Sequence, residues 1–342
     1  MKIDTMLFGL GDAAERARRL EEMGVDGCFT FEGPHDPFVP LIRAAGHVDL
    51  DLMTNVAIAL PRNPMQTAHL AWDLQTLSGG RFFLGLGTQI RPAIEKRYGA
   101  AWERPVGRMR EFVAALRAIF ACWQHDERLD FRGQFYTHTL MTPMFHPGAL
   151  DSGPPPIYLG ALGPQMTRLA AQSADGILVM PFNTKRSFTE RTLPAIQAGL
   201  RAAGRDPDEL AVVGEAIVCA GRTEEELAEA DAQTRWLLAF YASTPSYRPT
   251  LEAEGWEDLQ TELNAMTKAG RWAEMPDLID ETMLSTIAVR GTPKQVAAQI
   301  VDRFGGRCDR IGFYTPYAIA DDLLAEVVAE LRDLSNAPRP RK

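Results

Sequence analysis

The sequence lacks the residue patterns of several common enzyme classes. Its four cysteines are far apart, so no C-x-x-C pair indicates a zinc site or a redox dithiol. None of its six histidines stands in an H-E-x-x-H segment, and neither a G-x-S-x-G nor a G-x-x-x-x-G-K-[ST] segment occurs. These absences argue against zinc-hydrolase, serine-hydrolase and P-loop chemistry, and we expect no metal site.

Long apolar runs and an excess of basic residues are also missing. No apolar run approaches the roughly 18 residues that span a bilayer, and the first ten residues, MKIDTMLFGL, lack a long signal core. The formal net charge is −9, which gives the chain no general attraction to nucleic acid or to anionic lipid. We therefore expect a cytoplasmic protein that acts on a small molecule and binds neither nucleic acid nor membrane.

The sequence does contain a repeated alternation of apolar strands with amphipathic helices. Strands that are apolar on both faces and alternate with helices indicate a parallel sheet covered by helices. Eight strands are predicted, near residues 2–8, 25–32, 50–60, 82–86, 156–160, 176–181, 210–219 and 309–314. Eight β-α units close most simply into a (β/α)8 barrel of the TIM type. The alternative is an open, doubly wound sheet, but FGLGDAAE after the first strand lacks the third glycine of the G-x-G-x-x-G turn.

Two stretches interrupt the alternation. Residues 126–154 predict a small hairpin and a proline-rich loop after helix 4. Residues 224–290 predict a mostly helical insertion after strand 7. We therefore predict that residues 1–342 form a single α/β barrel domain that carries these two insertions.

Candidate site residues follow from the fold, because such a barrel collects its chemistry at the carboxyl ends of its strands. After strand 2, Glu32 and His35 are candidates for acid–base roles, since an imidazole titrates near neutrality and a carboxylate at the rim needs a polar partner. The alternatives are a salt bridge from Glu32 to a barrel arginine and a merely solvated His35. Glu215 interrupts an apolar strand, so it must be neutral, paired or facing the lumen, and we favour the lumen.

Glycines concentrate around strand 4, in the segment LSGGRFFLGLGTQIRP at residues 77–92. Gly79 and Gly80 end the preceding helix, whereas Gly85 and Gly87 remove side chains where a flat ligand would have room against the strand. The competing interpretation is that Gly85 only relieves crowding inside the barrel.

The segment IYLGALGPQMTRLAAQSADG places Gly160 and Gly163 at a turn from strand to helix. Free N–H groups at the start of a helix bind anions, so Ala161, Leu162, Gly163 and Gln165 are candidates for holding a phosphate. An ordinary strand-to-helix turn uses glycine and proline equally readily, and that alternative stays open.

Several segments together resemble the luciferase-like monooxygenase superfamily, and in particular its branch of F420-dependent oxidoreductases. They are the S-G-G-R-x-x-L-G-x-G pattern at residues 78–87, LPRNPMQTAHLAWDLQTLSGGR, PPIYLGALGPQMTRLAAQSADG and the closing GTPKQVAAQIVDRF. The F420-dependent branch is suggested by HDPFVPLIRAAGHV, LGLGTQI and FYASTPSYRPTLEAEGW. The resemblance covers most of the chain.

The resemblance implies a (β/α)8 barrel that holds the deazaflavin coenzyme F420, or alternatively FMN, at its carboxyl mouth. It places the phosphate near residues 160–165, and a non-proline cis peptide in strand 3, at Asn55–Val56, against the back of the ring. The expected cofactor contacts are Glu32, Asn55, Val56, Ala57, Gly87, Gln89, Gly160, Ala161, Leu162, Gly163 and Gln165. Relatives are commonly dimers through helices 2 and 3, so a homodimer is expected.

The chain departs from the glucose-6-phosphate dehydrogenase branch of that family at two positions. Gly33 stands where those relatives carry a histidine acid, and Ile90 stands where they carry a carboxylate after strand 4. That substrate and that proton path therefore do not transfer, and His35 and Glu32 are the candidate catalytic residues. The expected reaction is hydride transfer between F420 and an unidentified organic molecule bound under the two insertions. The alternatives are a two-component FMN monooxygenase and a non-catalytic protein that binds flavin or deazaflavin.

Overall fold

The computed structural model describes residues 1–336, and residues 337–342 of the predicted domain lie outside the described part. The strands are β1 (Lys2–Met6), β2 (Gly27–Thr30), β3 (Asp51–Thr54), β4 (Ala57–Ile58), β5 (Phe82–Gly87), β6 (Phe131–Arg132), β7 (Thr137–His138), β8 (Ile157–Ala161), β9 (Gly176–Val179), β10 (Ala211–Ala220), β11 (Val289–Gly291) and β12 (Arg310–Tyr314). The α-helices are α1 (Ala13–Glu22), α2 (Phe38–Ala45), α3 (Pro64–Leu77), α4 (Pro105–His125), α5 (Pro164–Ser173), α6 (Lys185–Ser187), α7 (Leu193–Ala203), α8 (Glu224–Ala242), α9 (Arg248–Glu254), α10 (Glu257–Lys268), α11 (Glu281–Ile287), α12 (Pro293–Phe304) and α13 (Asp321–Asn336). Within residues 1–336, no helix combines the length and the apolar character needed to cross a bilayer.

The parallel strands of the main sheet close into a ring. The order around the ring is β1, β2, β3, β5, β8, β9, β10 and β12. β12 pairs with β1, where Arg310 lies beside Lys2, and β9 pairs with β10, where Gly176 lies beside Ala211. The predicted TIM-type barrel is confirmed, and the open, doubly wound alternative is wrong, because both edges of the sheet are paired with each other.

The ring strands are apolar on both faces because each face packs on a different layer. Inside the ring, six buried side chains form a luminal cluster: Met6, Phe29, Met53, Tyr158, Leu178 and Val213. Outside the ring, a larger buried cluster joins the strands to the helices. Two layers of apolar packing explain why the strands read as continuous apolar runs instead of alternating with polar residues.

An ion triplet closes the lumen at the amino ends of the strands. Arg310 of β12 donates from Nε to Asp4 of β1 at 2.8 Å and from Nη1 to Asp51 of β3 at 2.6 Å. Both Arg310 and Asp4 are buried. Burial disfavours the charged guanidinium, but the hydrogen bonds and charges of Asp4 and Asp51 outweigh it and raise the pKa of Arg310. The triplet therefore ties three strands together with charged groups.

The single strand predicted over residues 50–60 is two strands separated by a bulge. Met53 of β3 pairs with Phe83 of β5, and Ala57 of β4 pairs with Leu86 of β5. Four steps along one strand thus match three steps along the other, so one extra residue is accommodated. The bulge lies at residues 55–56, close to the carboxyl end of the ring.

The two insertions lie at different places on the barrel. Residues 126–154 contain the β6–β7 hairpin, and their hydrogen bonds run to α3 and α4, as when Glu111 accepts from the Phe135 and Tyr136 N–H groups at 2.6 Å. Residues 224–290 hold α8 to α11 and the start of β11, a short strand that was not predicted and that pairs Val289 with Val218 of β10. The first insertion is therefore held along α3 and α4, and the expectation that both insertions cover the substrate stays a prediction.

Candidate active site

The carboxyl ends of the ring strands meet at one rim. This barrel mouth consists of residues 7–8, 31–32, 55–56, 87–88, 161–162, 180–183, 215–220 and 314–315. The predicted residues that lie in it or directly beside it are Glu32, Asn55, Val56, Ala57, Gly87, Gly160, Ala161 and Leu162. Gly163 and Gln165 lie at the start of α5, one turn further along the chain.

The bulge at Asn55 and Val56 projects into the barrel mouth. The Asn55–Val56 peptide bond is cis, as the resemblance implies. Main-chain hydrogen bonds hold the bulge on the neighbouring strand, because the Asn55 N–H donates to the Thr30 carbonyl at 2.6 Å and the Glu32 N–H donates to the Val56 carbonyl at 3.2 Å. Val56 packs on the luminal cluster, so its side chain faces the interior of the ring.

Three glycines border the bulge because side chains there would collide with it. A Cβ on Gly85 would lie 1.8 Å from the Thr54 carbonyl oxygen, and a Cβ on Gly87 would lie 2.5 Å from Cγ2 of Val56. A Cβ on Gly160 would lie 3.0 Å from Cγ1 of the same valine. The interpretation in which Gly85 relieves crowding is therefore confirmed, and the one in which it makes room for a ligand is wrong, since its neighbour is protein backbone.

Glu32 is engaged by three partners beside the bulge. Its Oε2 accepts from the Ile58 N–H and from Nη2 of Arg62, both at 2.9 Å, and its Oε1 accepts from the Tyr98 hydroxyl at 2.9 Å. Burial opposes the charge of Arg62, but hydrogen bonds and charges from Glu32 and Asp36 outweigh it and raise the pKa of Arg62. The predicted salt bridge is confirmed, and this carboxylate anchors β4 in place.

His35 and Gln89 lie on the surface instead of in the lumen. His35 is exposed in the loop before α2. Gln89 is also exposed, has a φ of 59°, and accepts a hydrogen bond from the Ile90 N–H at 3.0 Å. The acid–base role of His35 and the cofactor contact of Gln89 therefore stay predictions.

Glu215 is a buried carboxylate that faces the lumen from the middle of β10. It lies beside Gly312 of β12, where a Cβ would be 3.4 Å from Cγ of Glu215. Burial raises the pKa of Glu215 to about 8, and a hydrogen bond with the side chain of Asn55 opposes this rise only in part. The interpretation that Glu215 faces the lumen is confirmed. At neutral pH its carboxyl group is mostly protonated, so the barrel mouth holds a buried proton.

Three tyrosines from separate elements converge near Glu215. Tyr314 ends β12, Tyr241 lies in the last turn of α8, and Tyr247 precedes α9. Tyr241 and Tyr314 pack on the same buried cluster, and the Tyr241 and Tyr247 ring centroids are 5.3 Å apart. Burial raises the pKa of all three hydroxyls, that of Tyr247 to about 12. They therefore offer uncharged hydrogen-bonding groups at neutral pH.

A cavity of about 120 Å³ lies beside the start of α5. Leu162, Asn183 and Arg191 are among its lining residues. A Cβ on Gly163 would meet nothing within 4 Å, so the space next to the helix start is open. The buried Oδ1 of Asn183 has no hydrogen-bond partner within the described chain. The helix start and Arg191 suit an anion, whereas the unpartnered amide oxygen suits a hydroxyl group.

The sequence prediction missed Tyr314, Tyr241 and Arg191. Tyr314 ends the last predicted strand, so the rule that chemistry collects at strand ends is a signal that points to it. Tyr241 and Arg191 lie in helical segments whose local pattern carries no sign of the barrel mouth. Only the packing of those segments over the ring brings them to the site.

Comparison with known proteins relates this chain to a family that includes enzymes. A family model described as luciferase-like monooxygenase matches residues 2–309. A Mycobacterium tuberculosis protein described as uncharacterised is 48% identical over 303 residues, which are 88% of this chain and 89% of that protein. The F420-dependent glucose-6-phosphate dehydrogenase of Nakamurella multipartita is 30% identical over 283 residues, which cover 79% of this chain and 80% of that enzyme.

Solved structures share the fold. The coenzyme F420-dependent tetrahydromethanopterin reductase of Methanopyrus kandleri matches with a TM-score of 0.82 at 20% identity, covering 98% of this chain and 99% of that chain. Other structures with this fold include monooxygenases, one of them in complex with FMN. Likeness at such low identity shows the fold alone.

Proposed function

Because the chain belongs to the luciferase-like monooxygenase family, we propose that this oxidoreductase transfers a hydride between coenzyme F420 and a small organic substrate. A relative at 30% identity is named as F420-dependent, which supports the choice of cofactor. The observation that carries the proposal is the combination, at one rim, of a bulge flanked by glycines with a cavity that Asn183 and Arg191 help to line. The bulge gives a flat surface for the cofactor ring, and the cavity gives a place for the phosphate.

The residues around the mouth fit a phosphate-bearing tricyclic cofactor. Val56 would contact the ring from the bulge, with Gly87 and Gly160 beside it. The N–H groups at the start of α5 and the guanidinium of Arg191 would hold the phosphate, and Oδ1 of Asn183 would accept from a hydroxyl of the linking chain. When bound, F420 supplies the hydride donor or acceptor.

The chain itself orients the bound molecules, surrounds them with an apolar lumen and supplies a proton. The luminal cluster excludes water from the space below the bulge. Glu215 is the group that we propose to hold the proton, because it is neutral near pH 7 and faces the lumen. The side chain of Asn55 faces the Glu215 carboxyl group and is the polar neighbour that lowers its pKa. Glu32, by contrast, is saturated by Ile58, Arg62 and Tyr98.

A two-component FMN monooxygenase is the second candidate. It is favoured by the FMN complex among the structures that share the fold. The same cavity beside α5 would accept the FMN phosphate, so the geometry of the phosphate site alone does not separate the two cofactors. The non-catalytic alternative is disfavoured, because the named relatives are reductases, dehydrogenases and monooxygenases.

Fluorescence titration of the purified chain with F420 and with FMN tests the proposal. We expect F420 to bind with a Kd on the order of micromolar and FMN to bind more weakly. Arg191→Ala should weaken F420 binding by about tenfold, the value of one charge-assisted hydrogen bond. Arg201→Ala, which removes an exposed arginine of α7, is the matched control and should change nothing. Tight FMN binding without F420 binding, together with oxygen consumption on externally reduced FMN, would establish the monooxygenase instead.

A further inference from the structure

A continuous row of aromatic side chains, here named the aromatic wall, joins the barrel mouth to the surface of α8. Its members are Phe8, Phe31, Tyr314, Tyr241, Phe240 and Trp236. Neighbouring ring centroids are 5.7 Å apart for Phe8–Phe31, 5.9 Å for Phe31–Tyr314, 5.8 Å for Phe240–Tyr241 and 5.9 Å for Trp236–Phe240. Tyr314 packs on the luminal cluster and, together with Tyr241, on the buried cluster beneath α8, so the two halves meet at these two tyrosines.

The inner end of the aromatic wall lies in the candidate active site. Phe31 and Tyr314 pack on the luminal cluster, on which Val56 of the bulge also packs. Glu215 lies close enough that its charge raises the pKa of both Tyr241 and Tyr314, after the larger effect of burial. A molecule that lies along the wall therefore reaches the groups that we assign to cofactor binding and proton transfer.

The outer end of the aromatic wall is exposed to solvent. Trp236 is 50% exposed and Phe240 is 40% exposed. Phe8, at the opposite end of the row beside Phe31, is 53% exposed. Trp236 and Phe240 are one turn apart on α8, and their rings are parallel, with an interplanar angle of 2°. Exposed apolar patches of this kind mark binding surfaces. Here the patch is joined through Tyr241 and Tyr314 to the side chains that pack at the barrel mouth.

The wall presents its ring faces without cationic partners. Arginine guanidinium groups lie over six rings in the described chain: Phe38, Phe83, Tyr98, Phe135, Tyr136 and Phe304. None of these rings belongs to the wall. Its two tyrosines, Tyr241 and Tyr314, are neutral near pH 7, because burial raises the pKa of each hydroxyl. Free ring faces favour stacking with another flat apolar ring and offer nothing to a phosphate.

We propose that the aromatic wall is the substrate site, and that the substrate is a flat, uncharged aromatic molecule with one hydroxyl or carbonyl oxygen. Its rings stack along Trp236, Phe240 and Phe31. Its oxygen reaches the polar inner end of the wall, formed by Tyr241 and Glu215. The inference rests on the proposed function, since it assigns the substrate class of the same barrel mouth. It also separates this chain from the relative that is named for a sugar phosphate.

Calorimetric titration of the full chain with 2-naphthol, with and without F420, tests the proposal. We expect 2-naphthol to bind and cyclohexanol and glucose 6-phosphate to bind at least about tenfold more weakly, because neither stacks on an aromatic face. The double variant Trp236→Ala/Phe240→Ala should weaken 2-naphthol binding by about tenfold. Phe145→Ala, which removes an exposed aromatic ring of the 126–154 insertion, is the matched control and should leave the affinity unchanged.

Two further measurements make the result decisive. Trp236→Phe/Phe240→Tyr keeps two aromatic rings and should keep the 2-naphthol affinity within about twofold. The proposal is overturned if 2-naphthol does not bind, or if it binds the double alanine variant as tightly as the unmodified chain. It is equally overturned if that variant changes only the mass measured by light scattering, because the wall would then contact a second copy of the chain.

The F420 titration of the same variants separates this inference from the proposed function. We expect the F420 affinity of the double alanine variant to equal that of the unmodified chain, since neither residue lines the cavity beside α5. If the unmodified chain does not bind F420, the proposed function is overturned, and the 2-naphthol titration can still be interpreted by itself. Loss of 2-naphthol binding with intact F420 binding would overturn the substrate class alone.

Discussion

The carboxyl group of Glu215 in β10 faces the side chain of Asn55, the residue at which β3 gives way to the bulge. β3 and β10 are not neighbours in the ring, so the contact crosses the lumen. It connects the group that holds a buried proton to the backbone segment on which we place the cofactor ring.

Replacement of Glu215 by glutamine should remove a pH dependence of stability. The pKa of Glu215 is about 8 in the folded chain and 4.5 is its ordinary value, so the folded state binds this proton more tightly. The free energy of unfolding therefore falls as pH rises from about 5 to about 8, by a few kcal/mol at most. Glu215→Gln should match the unmodified chain near pH 5 and be more stable near pH 9, measured by urea unfolding.

The exposed residue Glu229 of α8 provides the control for that comparison. Glu229→Gln should follow the pH profile of the unmodified chain, because its carboxylate is solvated in both states. If Glu215→Gln and the unmodified chain lose stability in parallel up to about pH 9, Glu215 is ionised in the folded protein and does not hold the proton at neutral pH.

The ion triplet at the amino ends of the strands predicts that Asp4→Asn strongly lowers the free energy of unfolding, whereas Asp49→Asn, outside the triplet, hardly changes it. Asp4→Asn leaves the buried Arg310 with Asp51 as its remaining carboxylate partner. We expect a loss of about 3–5 kcal/mol in the free energy of unfolding. Asp49→Asn affects an aspartate that is 97% exposed and 3.6 Å from Arg81, and it should cost less than about 1 kcal/mol. Equal costs in guanidinium unfolding would contradict the role given to the triplet.

The close contact between Gly85 and the bulge predicts that adding a single methyl group at position 85 destabilises the fold. Gly85→Ala places a Cβ where the Thr54 carbonyl oxygen lies, so the bulge must move, at a cost of about 3 kcal/mol or more. Gly107→Ala in α4 has its nearest neighbouring atom at 3.9 Å and should be neutral or stabilising by up to about 1 kcal/mol. Thermal unfolding of the two variants checks the difference, and a Gly85→Ala variant as stable as the unmodified chain would refute it.

The outer face of α2 predicts a homodimer. Val39 is 41% exposed and Ile42 is 40% exposed, one turn apart on that helix, and Leu77 at the end of α3 is 52% exposed. We expect light scattering to give twice the chain mass of 37.8 kDa, and Val39→Glu/Ile42→Glu to give the mass of one chain, because buried charges at an interface are unfavourable. Leu140→Glu alters a residue that is 77% exposed on the 126–154 insertion and should leave the mass unchanged.

The fold was predictable because its signals are local. Each ring strand is a short apolar run between helices, and this pattern is visible in the sequence without knowledge of the partners of each strand. The break at Asn55 and Val56 was not visible as a break, since both sides of the bulge are apolar and the extra residue shows only when β3, β4 and β5 are paired. The short strand β11 was missed because three residues carry too little pattern.

Residues of the candidate site were predictable from the sequence only where their polarity differs from that of the residues around them. Glu215 stands out because a carboxylate interrupts an apolar strand, and the structure confirms that it faces the lumen. For Glu32 the sequence left an acid–base role and a salt bridge to an arginine both open, because its partners Arg62 and Tyr98 come from later parts of the chain. The sequence pattern of α8 does not distinguish Tyr241 from its neighbours. Only its position next to Tyr314 in the folded chain marks it as a site residue. Such relationships are set by tertiary packing and leave no local signature.

The pairing of β1 with β12 joins the first strand of the ring to leave the ribosome with the last. Until Arg310 has emerged, Lys2 to Thr5 lack their partners on one side, and the carboxylate of Asp4 lacks its guanidinium. A nascent chain that has already built most of its β-α units therefore presents an unpaired sheet edge, to which other strands can add. Closure of the barrel therefore waits for β12, and the edge of β1 is exposed until that strand has emerged.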